Sequence, residues 1–338
     1  MNLAVVAYPR LDEADRQRIE AFRSKHDPQA ARLGVHFTLV FPFDGSPAGI
    51  GPEVVRVAGS TPPIPFAIDR VEVVPDALED RNLVLLVPAD GREPIVGLHD
   101  RLYSGTLERH LRLDIPFVPH MTVGAAPNSQ SARVVAEELE AGFRRPMRGV
   151  LDRLDVVDVS KPRVCSIARF ALGVRYREAS ASDVADMARS RAADPAAGPA
   201  DPRMAAYLEG RHHPRHALLP RVAFVALQED GVVGYIAGHL TRRYDCDGEV
   251  QYLFVTPSHR RMGVGTELLR RLAGWFAGQR AFRICVDVNV DSPAADPFYT
   301  WRGARPLNRY WRVWDDIRKG AIEDGDSCSP PRHAEDAG

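Results

Sequence analysis

Four cysteines stand in 338 residues, Cys165, Cys246, Cys285 and Cys328, and no two share a Cys-x-x-Cys spacing. That scarcity argues against both a cysteine-rich zinc site and a disulfide framework. Long hydrophobic runs are missing too, and nothing approaches the length of a membrane-spanning helix. The opening MNLAVVAYPRLDEADRQ has an apolar run too short, and without the preceding basic region, for a secretory signal, so a cytoplasmic protein with no membrane partner is expected. An excess of either charge is absent: 44 basic residues face 45 acidic ones, a net charge of −1. This excludes a global nucleic-acid-binding field, and DNA is not expected as a partner. The glycines form neither a Walker loop nor the three-glycine dinucleotide fingerprint. What is present suffices for ordinary globular cores, with 45% hydrophobic residues in a chain long enough for two domains.

The most informative stretch is Tyr252 to Ala273, YLFVTPSHRRMGVGTELLRRLA. An apolar strand, Tyr252-Leu253-Phe254-Val255, breaks at Pro257. The chain then turns basic at His259, Arg260 and Arg261 and glycine-rich at Gly263-Val264-Gly265. From Thr266 the pattern predicts a helix with Leu268, Leu269 and Leu272 on one face. A strand, a glycine-rich turn and a helix start make an anion site, because the first helical N–H groups lack intrahelical partners and the helix dipole favours negative charge there. Glycine lets backbone approach a phosphate closely, and the arginines add charge.

The order Val255-x-Pro257, then Arg260-Arg261-Met262-Gly263-Val264-Gly265, resembles the acetyl-coenzyme A signature of the GNAT N-acetyltransferases. The resemblance implies acetyl-CoA as co-substrate, an amine as acceptor and a mixed-sheet α/β fold over about 174–320. It places the pantetheine arm on backbone near Leu253, Phe254 and Val255, and the phosphates at Arg260 to Thr266. Further on, Ala295, Phe298, Tyr299 and Gly303 match a common GNAT pattern, whereas Ser292 stands for Asn and Ala304 for Phe. Ser292 still suits a helix cap, followed by Pro293. By the resemblance, the Tyr299 hydroxyl protonates the departing thiolate. Glu249, at the start of the strand that ends at Val255, stands where a general base often lies, with Asp245 and Asp247 as alternatives. Arg211-His212-His213-Pro214-Arg215-His216 lacks a carboxylate or cysteine at ligand spacing, so no metal is expected there. It could border the acceptor mouth.

The first half carries a different signal. Val35 to Phe43 is a strand by its β-branched and aromatic content. Period two puts His36, Thr38 and Val40 on one face and Phe37, Leu39 and Phe41 on the other. Pro119-His120-Met121-Thr122-Val123-Gly124 repeats His-x-Thr in a second strand, after candidate strands at Phe66–Val74 and Leu83–Val87 and a helix near Ile95–His110. Another helix, Ser131 to Phe143, precedes strands at Leu151–Val159 and Val164–Ala171. Two histidines can serve as base and acid on a phosphodiester, and the threonine hydroxyls can hold its non-bridging oxygens, with no metal needed.

The paired His-x-Thr motifs, each followed by an apolar residue, resemble the 2H phosphoesterases, which include 2′-5′ RNA ligases and RNA 2′,3′-cyclic phosphodiesterases. The resemblance covers about 1–173 and implies a bilobal α+β fold. It also implies His36 and His120 as the acid/base pair without assigning either role, Thr38 and Thr122 as phosphate ligands, and an RNA end or cyclic nucleotide as substrate. Arg112, Arg144, Arg145 and Arg163 are candidates for gripping such a ligand. The layout predicts a phosphoesterase-like domain at 1–173, an acetyltransferase domain at 174–320 and a disordered tail at 321–338. The expected function is a bifunctional enzyme. The alternatives are an acetyltransferase whose first domain only binds a nucleotide-like acceptor, and a non-catalytic acetyl-CoA and nucleotide sensor.

Overall fold

Strand β1 (Asn2–Ala7) is apolar on both faces, and from Leu3 onward every residue is buried. Leu3 and Val5 face the main core, and Ala4 and Val6 face a smaller apolar cluster with Val157, so both faces are covered and alternation is absent. After the short β2 (Arg10–Leu11), Asp12 accepts the Asp15 N–H and starts α1 (Glu13–His26). The computed structural model describes residues 1–142, 146–197, 203–229, 231–288 and 295–321. The chain folds as two compact units, one over Met1–Leu172 and one beginning at Gly173.

The first unit continues with β3 (Phe37–Asp44), α2 (Pro47–Gly59), β4 (Ile64–Pro75), β5 (Asn82–Asp90), α3 (Arg92–Leu102), β6 (Met121–Ala126), α4 (Ser129–Gly142), β7 (Met147–Leu151), β8 (Arg153–Asp158) and β9 (Cys165–Ala171). They form two antiparallel sheets, ordered β3-β1-β8-β9 and β2-β7-β4-β5-β6. Strands β3 and β6 are each the edge of their sheet. Pro42 is tolerated in β3 for that reason, since an edge leaves one row of N–H groups unused. Leu3, Val5, Phe37, Phe66, Leu86, Ile95 and Val123 share one core that spans both sheets.

The structure differs from the sequence expectation in three places here. The helix expected to His110 ends at Leu102, and Glu108–His110 is a separate 3-10 turn beyond Gly105. The strand expected over 151–159 is β8, Arg153–Asp158, whereas Leu151 ends β7, which precedes Asp152 and joins the other sheet. Helix α2 was not anticipated at all.

The second unit holds β10 (Val174–Glu178), α5 (Val184–Ala192), α6 (Met204–Leu208), β11 (Ala217–Gln228), β12 (Gly231–Thr241), β13 (Gly248–Val255), α7 (Val264–Gly278), β14 (Ile284–Asp287), α8 (Ala295–Trp301), β15 (Arg305–Pro306), β16 (Trp311–Trp314) and α9 (Ile317–Ala321). Ser180 and Asp183 make a reciprocal capping box before α5. One sheet runs β10-β11-β12-β13-β14-β16-β15, antiparallel except for the β13–β14 pair, which α7 connects. Leu268, Leu269, Leu272 and Phe276 are the fully buried face of α7. The expected tail lies outside the described residues apart from Ala321, which ends α9.

Candidate active sites

In the first unit each histidine is the residue immediately before an edge strand, His36 before β3 and His120 before β6. The two copies share one local bond. The His36 Nδ1–H donates to the Gly34 carbonyl at 2.9 Å, and the His120 Nδ1–H donates to the Val118 carbonyl at 2.6 Å. A carbonyl can only accept, so both rings carry their proton on Nδ1 when neutral and leave Nε2 as the reactive nitrogen. Thr38 and Thr122 follow two residues later on the same face, partly exposed like their histidines.

Both imidazoles are surrounded closely enough to lose much of their hydration while staying partly open. Burial pulls His36 down from 6.5 to about 4; the Gly34 bond and Asp27 oppose this, and Arg23 and the charge of His120 add to it. His120 is lowered by burial as well, but the Val118 bond and the Glu72 carboxylate push it back up. Each histidine therefore has a different electrostatic neighbour: a guanidinium at His36 and a carboxylate at His120. Glu72, Leu85 and Thr122 form one cross-strand row.

Helix α1 fixes the approach to His36. Buried Arg23 donates to Asp27 at 2.9 and 2.7 Å and to the Leu33 carbonyl at 2.8 Å, while Arg32 holds Val159. The same helix packs on β6, where Gly124 makes room: a Cβ there would lie 3.2 Å from Val135 and 3.3 Å from the Cβ of His26. Tyr8 stands beside His36, ring centroids 6.3 Å apart. Of the arginines considered for ligand grip, Arg112 is taken up by Asp114 at 2.7 Å, Arg163 is exposed, and Arg144 and Arg145 lie outside the described residues.

In the second unit β13 and β14 pair only through Gly248–Ile284, Glu249–Cys285 and Val250–Val286. Beyond Val250, no described strand pairs with that side of β13, although its other side stays bonded to β12 as far as Val255. A register shift after Ala237 bulges β13 at Gln251, which bends a strand away from its neighbour. Leu253, Phe254 and Val255 thus line an open backbone edge. At its end comes the 3-10 turn Pro257–His259, then Arg261 at φ 61° and Gly263 at φ 88°.

Helix α7 begins at Val264, two residues before the expected start. Gly263 is its N-cap and offers no side-chain cap, so the N–H groups of Val264, Gly265 and Thr266 all belong to the unpaired first turn. A Cβ at Gly265 would meet only ordinary 3.6 Å contacts to Phe298 and Val255, so protein packing does not itself demand a glycine there. Met262 is partly buried beside the turn and Arg261 is exposed. Arg260 turns the other way: its Nε donates to the Val255 carbonyl at 3.1 Å and it pairs with buried Asp194.

Tyr299, on α8, is buried edge-on to Trp314 at 5.7 Å, and burial drives its phenol well above the ordinary range, so it remains a proton donor. Ser292 lies outside the described residues. Glu249 is 4% exposed, which separates it from the other two carboxylates considered as base. Asp245 is exposed, and Asp247 is occupied by the Phe282 and Arg283 N–H groups at 2.9 Å. Burial raises the Glu249 carboxyl and the Arg243 bond, 2.9 Å long, restrains it.

The register of β12 on β13 sets His239 opposite Glu249. His239 is fully buried, its Nδ1 is 3.1 Å from the Tyr207 hydroxyl, and its Nε2 is 3.8 Å from Glu249 with no hydrogen-bond partner. Burial, Arg221 and Arg243 pull it to about 4, so it is neutral at ordinary pH. Sequence reasoning missed this Tyr207–His239–Glu249 row, and the only cue available was the hairpin register. His213, by contrast, bonds Arg221 at 2.7 Å, and no described group of His, Cys, Asp and Glu could hold a metal.

Comparison with known proteins assigns each unit. Residues 11–163 match the 2′-5′ RNA ligase superfamily, and residues 188–304 match the acetyltransferase (GNAT) family. A protein of Geobacillus thermodenitrificans (strain NG80-2), provisionally named a phosphoesterase, is 24% identical over 141 residues, 40% of this chain and 77% of its own. Another of that description from Bacillus licheniformis is 27% identical over 126 residues, 36% of this chain and 70% of its own. Among solved structures, an acetyltransferase from Thermus thermophilus is similar at 20% identity and a TM-score of 0.35, covering 42% of this chain and 96% of that one. The PaiA N-acetyltransferase of Thermoplasma acidophilum, solved with coenzyme A, is similar at 14% identity and a TM-score of 0.32, covering 41% and 96%. The chain is a fusion of a 2H phosphoesterase-type domain of the 2′-5′ RNA ligase superfamily with a GNAT-family acetyltransferase domain.

Proposed function

We propose that the chain is a bifunctional enzyme. Its first unit carries out metal-independent phosphodiester chemistry on an RNA end or cyclic nucleotide, and its second transfers acetyl from acetyl-CoA to an amine. The observation that carries the first half is the duplicated Nδ1–H bond, which leaves two Nε2 atoms of defined tautomer at the starts of two edge strands. In this reading His36, beside Arg23, is the base, and takes a proton from water as its oxygen attacks phosphorus. His120, beside Glu72, carries the acid proton and gives it to the departing ribose oxygen. Thr38 and Thr122 donate to the non-bridging oxygens.

In the second unit the open edge at Leu253 to Val255 accepts the pantetheine arm. The Gly263 turn with the first amides of α7 accepts the pyrophosphate, joined by Arg261. Glu249 takes the proton of the attacking amine, directly or through water, and Tyr299 donates to the leaving thiolate, so that each proton has a stated origin and end. Arg260, tied to Asp194, serves to hold the turn rather than the ligand.

The test is a single preparation of the intact chain with chelator present. It should open a 2′,3′-cyclic nucleotide, and it should release thiol from acetyl-CoA when supplied with an amine from a panel of polyamines, amino acids and aminoglycosides. Retention of the nucleotide without turnover would replace the first half of this reading with a binding role. Acetyl-CoA binding without thiol release for any amine would do the same for the second.

A further inference from the structure

Beside the His36–Thr38 half of the first site lies a polar group that the proposed chemistry does not use. Thr38 pairs with Val6, Val6 with Asp155, and Asp155 with Arg169, so the four form one row across β3, β1, β8 and β9 on one sheet face. Arg153 is two residues before Asp155 and shares that face. The opposite face is the main core, where Leu3, Val5 and Val156 are buried.

Asp155 is completely buried. It accepts from Arg153 Nε at 3.0 Å, Arg169 Nε at 3.2 Å and the Ser166 hydroxyl at 2.7 Å. A buried carboxylate needs partners, and this one is fully served. Each guanidinium, however, gives it only the Nε–H. The terminal amino groups of both arginines have no protein acceptor among the described residues, and the two side chains stay 31% and 30% exposed. Two forks held by their stems on one carboxylate are aimed outward and pre-organised, the form suited to bidentate contact with a phosphate. Tyr8 connects the group to the catalytic pair: it feels the charges of Asp155, Arg153 and Arg169, and its ring lies beside His36. Two strand spacings separate Thr38 from Asp155, about 10 Å, which a long arginine side chain shortens.

We propose that Arg153 and Arg169, oriented by Asp155, form a second anion subsite that takes a phosphate neighbouring the one that reacts. The substrate class is then a phosphodiester with an additional phosphate, rather than an isolated cyclic phosphate. This deepens the phosphodiester reading of the first unit and rests on it.

Three probes decide it: adenosine 2′,3′-cyclic phosphate with a 5′-hydroxyl, the same nucleotide with a 5′-phosphate, and an adenosine dinucleotide with a 5′-hydroxyl and a 2′,3′-cyclic end. The quantity measured is the ratio of kcat/KM values, which does not depend on the fraction of folded enzyme. A second phosphate should raise kcat/KM by about tenfold or more, the worth of one charge-assisted hydrogen-bonded contact. Preference for the 5′-phosphate identifies a terminal phosphate as the ligand, and preference for the dinucleotide an internal one. Arg153→Gln and Arg169→Gln should each move that ratio toward one. Arg169→Lys, which keeps a charge opposite Asp155, should retain part of it. Equal kcat/KM for all three probes, or a preference that survives both glutamine substitutions, would overturn the subsite. If none of the probes is bound or turned over, the phosphodiester reading itself falls, and the subsite with it.

Discussion

The two candidate sites are built in opposite ways. The first is made twice from a local device, a histidine before an edge strand with its Nδ1–H on the carbonyl two residues back. The second is made once, where two parallel strands part, and its partners come from distant segments: Tyr207 from α6, His239 from β12, Glu249 from β13 and Tyr299 from α8. A site made of local pieces keeps each ring oriented by a few neighbouring residues. A site made of remote pieces depends on strand register, since slipping β12 by one residue would turn His239 away from Glu249.

The largest effect should come from the locally built pair. His36→Ala or His120→Ala should each reduce cyclic-nucleotide hydrolysis by about 10² or more, because each removes a general acid–base contribution. A reduction in only one of them would break the symmetry argued from the paired bonds. In the second unit Glu249→Gln and Tyr299→Phe should each lower kcat for acetyl transfer by about tenfold to 10². A fall in KM-related binding alone, with kcat kept, would make these residues part of ligand binding instead. Thr38→Val and Thr122→Val should cost about tenfold in kcat/KM, the worth of a hydrogen bond to a charged oxygen.

A pH profile sharpens the contrast within the pair. The kcat/KM profile reports groups of the free enzyme. The base limb should rise through about 4, where His36 loses its proton, and the acid limb should fall with a midpoint below 6.5, because burial lowers His120 as well. Optimum activity on the acidic side of 6.5 is the expected outcome, and a maximum above pH 7 would contradict it. The sign for stability follows from the same shift. His36 binds its proton more weakly when folded, so its contribution is complete above 6.5 and is lost as pH falls toward about 4.

The difference in construction also decides what could be read from the chain. Both His-x-Thr motifs were legible because strand periodicity alone places the two side chains on one face. The glycine turn before α7 was legible because a strand, two glycines and a leucine-faced helix lie in one run. Helix α2 was not, since Gly49, Gly51 and Pro52 interrupt its helical pattern and tertiary burial of Ile50, Val54 and Val57 supplies what propensity does not. The break at Asp152 was hidden because β7 and β8 lie end to end with that one residue between them, and which sheet each joins is set by long-range pairing. The diversion of Arg260 to Asp194, 66 residues away, and the meeting of His239 with Glu249 depend on contacts that no local pattern encodes.

The most direct test of the paired-histidine account is hydrolysis of a 2′,3′-cyclic nucleotide by the intact chain with chelator present, alongside His36→Ala, His120→Ala and the double variant. The account predicts turnover in the intact chain, a loss of about 10² or more in each single variant, and little further loss in the double, because residues acting as a unit are strongly non-additive. Absence of turnover in the correctly folded chain, or turnover that survives either single substitution, would contradict it.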